Sequence, residues 1–262
     1  GEWQVMYFTV APAHLSKNYA NVDFMDPVAL ENYMELTYEE HSRQLGSYFG
    51  DTIQISFFDD VGFWRNPTAW NTAFNQKFIE RHGFDPAPYY PVLWYDIGPE
   101  TLAMRHMFYD TRAEMLGEGF PKVISEWAKR NGLKDPGHPP ANWGTFPATI
   151  NGDPFRYYRH TAIPLADSIF NYGLGLDGFK LMSSVADFHD RPLVAVEIYG
   201  AFRDTVIDNN MLYRNVMDCY TRGINLIMPH AMWYKRGPGL RYIPPLISAE
   251  NEKIAQPRPL LP

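Results

Sequence analysis

One cysteine, Cys219, stands among 262 residues, which excludes an internal disulfide framework and by itself reports no compartment. No lysine and arginine cluster is long enough to track a phosphate backbone, and the formal net charge is a mildly acidic −7, so a nucleic-acid partner is not expected. No stretch approaches the roughly 20 apolar residues that cross a bilayer. The opening GEWQVMYFTV lacks the basic start and long apolar run of a signal peptide. A P-loop and an H-E-x-x-H helix are both missing, which removes the usual nucleoside-triphosphate and zincin signals. Gly1 runs almost straight into an apparent strand, so the expectation is a piece of a larger natural protein with additional domains.

Aromatic residues are plentiful instead: 7 Trp, 17 Tyr and 17 Phe make up 16% of the chain. An indole or phenol face stacks on the apolar C–H face of a pyranose, so a sugar-binding cleft is one use for them. An aromatic-rich core is the other.

Strands and helices alternate. QVMYFTVAP (4–12) reads as a strand, and DPVALENYMELTYEEHSRQLGSYFG (26–50) as one helix with an Asp-Pro start and a Gly stop. TIQISFFDD (52–60) is the next strand. A helical insertion follows at about 66–130, continuous or kinked near Gly117 to Pro121. LKDPGHPP then gives a short strand ending at His138. IPLADSIF carries Asp167, and PLVAVEIYGAF (192–202) carries Glu197 just before a Tyr199-Gly turn. After a further helix, NLIMPHAMWY (225–234) carries His230 and Trp233. A proline-rich extension occupies 241–262.

Such alternation is an α/β pattern that favours parallel pairing. Asp59, Asp60, His138, Glu197 and His230 fall at or near the C-terminal ends of their strands, with His14 just past its own. That face carries the active site of a (β/α)8 TIM barrel. A doubly wound sheet normally announces its nucleotide with a Gly-rich first turn, so the barrel is preferred, over residues 1–240.

The runs VDFMDPVALENYMELTYEEHSRQLGSYFGDTIQISFFDD, LWYDIGPETLAMRHMFYDTRAEMLGEGFPKVISEWAKRNGL with GH close behind, VAVEIYGAF, and TRGINLIMPHAMWY together resemble the catalytic barrel of bacterial α-L-rhamnosidases of glycoside hydrolase family 106. The likeness covers about residues 3–235. It implies a barrel within a larger multidomain enzyme, inverting hydrolysis of α-linked rhamnose, a calcium ion near the substrate, a carbohydrate partner, and a periplasmic or extracellular setting in a bacterium. Barrel glycosidases place their two carboxylates at strands 4 and 7. Counting back from NLIMPHAMWY as strand 8 makes VAVEIYG strand 7, QISFFDD strand 4 and QVMYFTV strand 3, with strands 1 and 2 unidentified. A six-stranded open arc would expose two edges, which 66–160 or 236–262 must cover unless copies associate.

Inverting hydrolysis needs one protonated carboxyl for the leaving oxygen and one carboxylate to activate water, roughly 6.5–9.5 Å apart. Asp60 is assigned as the acid and Glu197 as the base, with Asp59 holding or polarising its neighbour; an adjacent negative charge raises a carboxyl pKa. The resemblance implies an acidic pair ending in Glu-Pro here, whereas this chain reads FFDDVGF, with an acid one methylene shorter. Asp59 and Asp60 as caps of the following turn are the competing reading. For Glu197 that competitor is an ion pair with Arg203 or Arg222. His138, His230, Trp233, Asp167, Trp64 and Tyr199 are candidate substrate contacts, with loop, core or capping roles as their alternatives. Trp94, Tyr95 and Trp143 fall in loops expected near the barrel mouth. Two other readings are a non-catalytic carbohydrate-binding or structural module, and a metal-dependent hydrolase gathering His14, His138, His230, Asp60 and Glu197 around an ion. The sequence requires no cofactor. Cys219 reads as a buried apolar residue.

Overall fold

Asp26 caps the first helix: its carboxylate accepts from the Val28 N–H at 3.0 Å, and Pro27 takes the first helical position, where no N–H is needed. The computed structural model describes residues 5–11, 14–16, 19–20, 22–63, 66–140, 142, 144–169, 177–199 and 209–230, with backbone alone at 14–16, 19–20 and 209. Trp64, Trp143, Trp233, the His14 side chain and the 241–262 tail lie outside the described residues. The chain divides into two compact units, residues 1–135 with 146–162, and residues 136–145 with 163–262.

The first unit is mostly helical. A small antiparallel pair, β1 (His14–Ser16) and β2 (Tyr19–Ala20), precedes α1 (Pro27–Leu36) and α2 (Tyr38–Leu45). The sequence predicts one helix over 26–50, and Thr37 splits it. Its hydroxyl donates to Tyr33 O at 2.6 Å, occupying the carbonyl that the Thr37 amide would bond in a continuing helix, and that amide turns to Met34 O. α3 (Phe74–His82), α4 (Thr101–Glu118), α5 (Phe120–Arg130), α6 (Ala148–Asn151) and α7 (Pro154–Tyr157) complete the helices described in this unit.

The break between α4 and α5 falls at Gly119, inside the predicted 117–121 window. A Cβ there would stand 2.0 Å from Phe24 O, the carbonyl that accepts from the Phe120 N–H at 3.1 Å, so only glycine lets α5 begin against that strand of backbone. α5 then buries Phe120, Ile124, Trp127 and Ala128 on one face. Phe120 meets Phe24 and Phe58 edge-on at 5.7 and 5.5 Å, and Trp127 meets Tyr38 at 5.1 Å. Much of the aromatic excess is therefore core.

Two predicted strands of this unit are corrected. Within 4–12 the described residues form no strand, and Val5 and Tyr7 are 89% and 88% exposed: alternation without a partner does not pair. Over 52–60 the described residues form no regular strand; isolated parallel bridges pair Phe49 with Ile53 and Ile55 with Lys134, the latter through Ser56 N–H to Lys134 O and Lys134 N–H to Gln54 O. Asp60 takes φ 54°, the left-handed conformation, so the extended run cannot continue past it.

The second unit holds β3 (Pro136–Gly137), β4 (Ile163–Ser168), α8 (Asp177–Phe188), β5 (Ala195–Ile198), α9 (Asn209–Thr221) and β6 (Leu226–Pro229). Its sheet runs β3-β4-β5-β6, parallel throughout and in chain order. All six residues of β4 are buried, as a central parallel strand requires, and α8 packs Phe179, Met182, Val185 and Ala186 inward beside it. The six predicted strands reduce to four regular ones here, in an α/β arrangement with a parallel sheet. Among the described residues no helix is long and apolar enough to cross a membrane.

Candidate active site

The register of β4 on β5 pairs Asp167 with Glu197, and that of β5 on β6 pairs Glu197 with Met228. Paired residues of adjacent strands point to the same face, about 4.8 Å apart along the hydrogen-bonding direction, so two carboxylates stand side by side near the C-terminal ends of buried strands. Asp167 is 3% exposed, and its Oδ1 accepts from the Ile169 N–H at 3.1 Å, bending the chain as it leaves β4.

β3 is only two residues long, and Asn142 takes over its work. The Asn142 amide nitrogen donates to Leu165 O at 2.7 Å, and its amide oxygen accepts from the Asp167 N–H at 2.5 Å. Those are the two bonds that a residue of a parallel neighbour paired with Ala166 would make to β4, two residues beyond the Gly137–Pro164 pair. A side chain thus extends the ladder and fixes the backbone of Asp167. No pattern in PPANWGT signals this, because a side-chain imitation of a strand has no period.

His138 follows β3 directly and is 1% exposed. Its Nδ1 lies 3.1 Å from Pro139 O and its Nε2 3.0 Å from Glu197 Oε2. A carbonyl only accepts, so Nδ1 carries a proton. The Nε2 contact then needs a second proton, which resides either on the imidazole facing a carboxylate or on Glu197 facing a neutral imidazole. In both states the pair is neutral overall and holds one proton ready between an acid and a base.

Tyr199 is among the residues expected to meet substrate. It sits at φ 67°, is 2% exposed, and donates its hydroxyl to Leu212 O at 2.8 Å, tying the end of β5 to α9. Burial pushes its phenol pKa up. His230 is half-buried, and its backbone N–H donates to Ile198 O at 2.8 Å, carrying the β5–β6 ladder one residue further. Cys219 is fully buried, and burial raises its thiol to about 12, which leaves it inert as a nucleophile.

Asp59 and Asp60 belong to the first unit, exposed and half-buried respectively. Directly after them the Tyr157 hydroxyl donates to Val61 O at 2.7 Å, anchoring the turn. Burial, then the charges of Tyr158 and Asp60, hold the Tyr157 phenol well above its usual range.

The chain matches the family model described as alpha-L-rhamnosidase over residues 2–243. No curated protein matches it. Among solved structures, a rhamnosidase from Novosphingobium sp. PP1Y superposes with a TM-score of 0.65 at 19% identity, over 81% of this chain and 21% of that one. This chain therefore spans about one fifth of that protein's length.

Proposed function

The chain belongs to the alpha-L-rhamnosidase family, glycoside hydrolase family 106, and from that premise we propose that it supplies the catalytic part of a glycosidase cleaving α-L-rhamnosyl or related linkages by inversion. The observation that carries the reading is Glu197, held by His138 at the C-terminal end of a buried parallel strand and in register with Asp167. Sheet order β3-β4-β5-β6 with α8 and α9 as crossovers supports reading the sheet as an arc of a (β/α)8 barrel, whose C-terminal face is where such groups act. The extent of the family match supports one domain over about 1–240, with 241–262 as an extension.

Glu197 is the general base that takes a proton from water. Its partner is chosen by distance. Asp167 on the adjacent strand stands about 5 Å away, the spacing of retaining enzymes, whereas inversion needs roughly 6.5–9.5 Å to admit water. With Asp167 set aside on that ground, Asp60 is kept as the acid expected from the sequence, with Asp59 adjusting its charge. Trp64, Trp233 and His230 join the proposal as substrate contacts. Polymeric rhamnose-bearing substrates suit a periplasmic or extracellular setting, and the short span relative to the solved rhamnosidase suits a larger chain with further domains.

Hydrolysis of an aryl α-L-rhamnoside followed by NMR tests the scheme through the first-formed anomer. Inversion with activity lost in both Glu197→Gln and Asp60→Asn is expected. Retention, with loss in Asp167→Asn instead of Asp60→Asn, would move the acid to Asp167. A folded chain that binds sugar without turnover would establish the rival reading of a binding module, which the FFDDVGF departure favours.

A further inference from the structure

The first unit contains a groove of about 820 Å³ to which no role has been given. Six aromatic residues line it, among them Phe8, Trp70, Tyr90 and Trp94. Phe8 stacks on Trp94 with centroids 5.3 Å apart and 28° between planes, and leans on Tyr90 at 6.1 Å. Trp94 remains 53% exposed and Phe8 37% exposed despite these contacts. Trp70 and Tyr90 are fixed in angle by a shared acceptor: the indole N–H of Trp70 donates to Tyr90 Oη at 3.1 Å and Asn75 Oδ1 at 3.3 Å, and the Tyr90 hydroxyl donates to Asn75 Oδ1. Rigid aromatic planes with open faces suit a flat ligand that binds by stacking.

Polar groups interrupt that surface. Asn66 spends its side-chain oxygen on the Thr68 N–H at 3.1 Å and hydroxyl at 3.0 Å, which aims its amide N–H groups away from that turn as donors. Asp23 is the only charged side chain among the described lining residues. Its two oxygens accept from the Met25 N–H and from Asn71 Nδ2, both at 2.9 Å. A groove with one internally satisfied carboxylate matches a ligand without net charge: a cation would meet no open anion, and an anion would meet Asp23. A purely apolar ligand would strand the amide of Asn66. The volume lies within the range of small-ligand sites, about 300–1,000 Å³.

We propose that this groove binds a neutral oligosaccharide segment, with a pyranose face laid on the exposed plane of Trp94 beside Phe8 and hydroxyls bonded by Asn66. The site is built wholly from the first unit and does not depend on the role given to Glu197.

The test is calorimetric titration of the chain with neutral di- to tetrasaccharides, with an oligouronide and an alkyl detergent as competing probes. Trp94→Ala and Asn66→Ala change exposed positions, so folding is retained. At least a tenfold weaker Kd in each, with Glu197→Gln binding as tightly as the parent, is expected. Absence of heat with every neutral saccharide up to about 10 mM would overturn the proposal. So would tighter binding of the oligouronide or detergent, or binding lost in Glu197→Gln and kept in Trp94→Ala. That last pattern would leave the Glu197 reading standing while removing the groove.

Discussion

Nε2 of His138 stands 3.0 Å from Oε2 of Glu197, joining a loop after β3 to the end of β5 across 59 residues of sequence. Because Pro139 O holds the other nitrogen, the imidazole cannot rotate to present a lone pair to the carboxylate without losing a bond.

Replacing His138 removes a buried, charge-assisted partner. His138→Ala is expected to cost about 1.5–3 kcal/mol in denaturant unfolding. On an aryl rhamnoside it should lower kcat by about 10–100-fold with little change in KM, because Glu197 loses its orientation while the sugar contacts stay. An equal rise in KM with kcat intact would assign His138 to substrate binding instead.

Asn142 is a stricter probe of the sheet. Asn142→Leu keeps the volume and removes the bonds to Leu165 O and from the Asp167 N–H, a loss of about 1–3 kcal/mol. Asn142→Asp keeps the acceptor for Asp167 but turns an oxygen toward Leu165 O and adds a charge beside Asp167, so it should be the less stable of the two. Equal stability of parent and Asn142→Leu in urea would show that the side chain does not extend the ladder.

Two glycines separate collision from backbone strain. Gly119→Ala puts a Cβ against Phe24 O and should cost about 3 kcal/mol or more, since backbone cannot move aside as a side chain can. Gly83→Ala at φ 83° meets nothing within 4 Å and should cost only about 1–2 kcal/mol, the strain of a left-handed residue. Thermal melts of the pair give the order.

Acid should weaken the first unit through Glu118. Burial raises its pKa, but hydrogen bonds from His160 and Lys122 and their charges outweigh that and hold it at about 2. A folded pKa below the unfolded one means stability present above the ordinary carboxylate range and lost as pH falls from there toward 2. Glu118→Gln should flatten the fall of Tm with pH over that window, by a modest amount because the side chain is 35% exposed and screened. An unchanged slope would locate acid sensitivity elsewhere.

Local chemistry made much of this legible. Asp26-Pro27 announced α1, Gly119 with Pro121 announced the break before α5, and the apolar runs around Asp167 and Glu197 announced β4 and β5, because each signal acts within a few residues. QVMYFTV failed because alternation describes one strand while pairing needs two. Thr37 failed because its hydroxyl competes with the backbone only once the helix exists. The bond from the Tyr199 hydroxyl to Leu212 O, made from a left-handed φ of 67°, has no signal in the sequence after Glu197. Neither Asn142 nor the orientation of His138 leaves a mark in sequence, since both depend on atoms that folding alone brings near.

The division of the chain has a consequence for synthesis. Residues 136–145 belong to the second unit, yet 146–162, with the fully buried Tyr157 and Tyr158, return to the first before the chain leaves it again at 163. The polypeptide changes allegiance three times, so no single cut releases either unit whole. On a ribosome, β3 emerges while the earlier core still awaits two of its largest side chains, so the first unit can close only once residue 162 is out, and the second only after that.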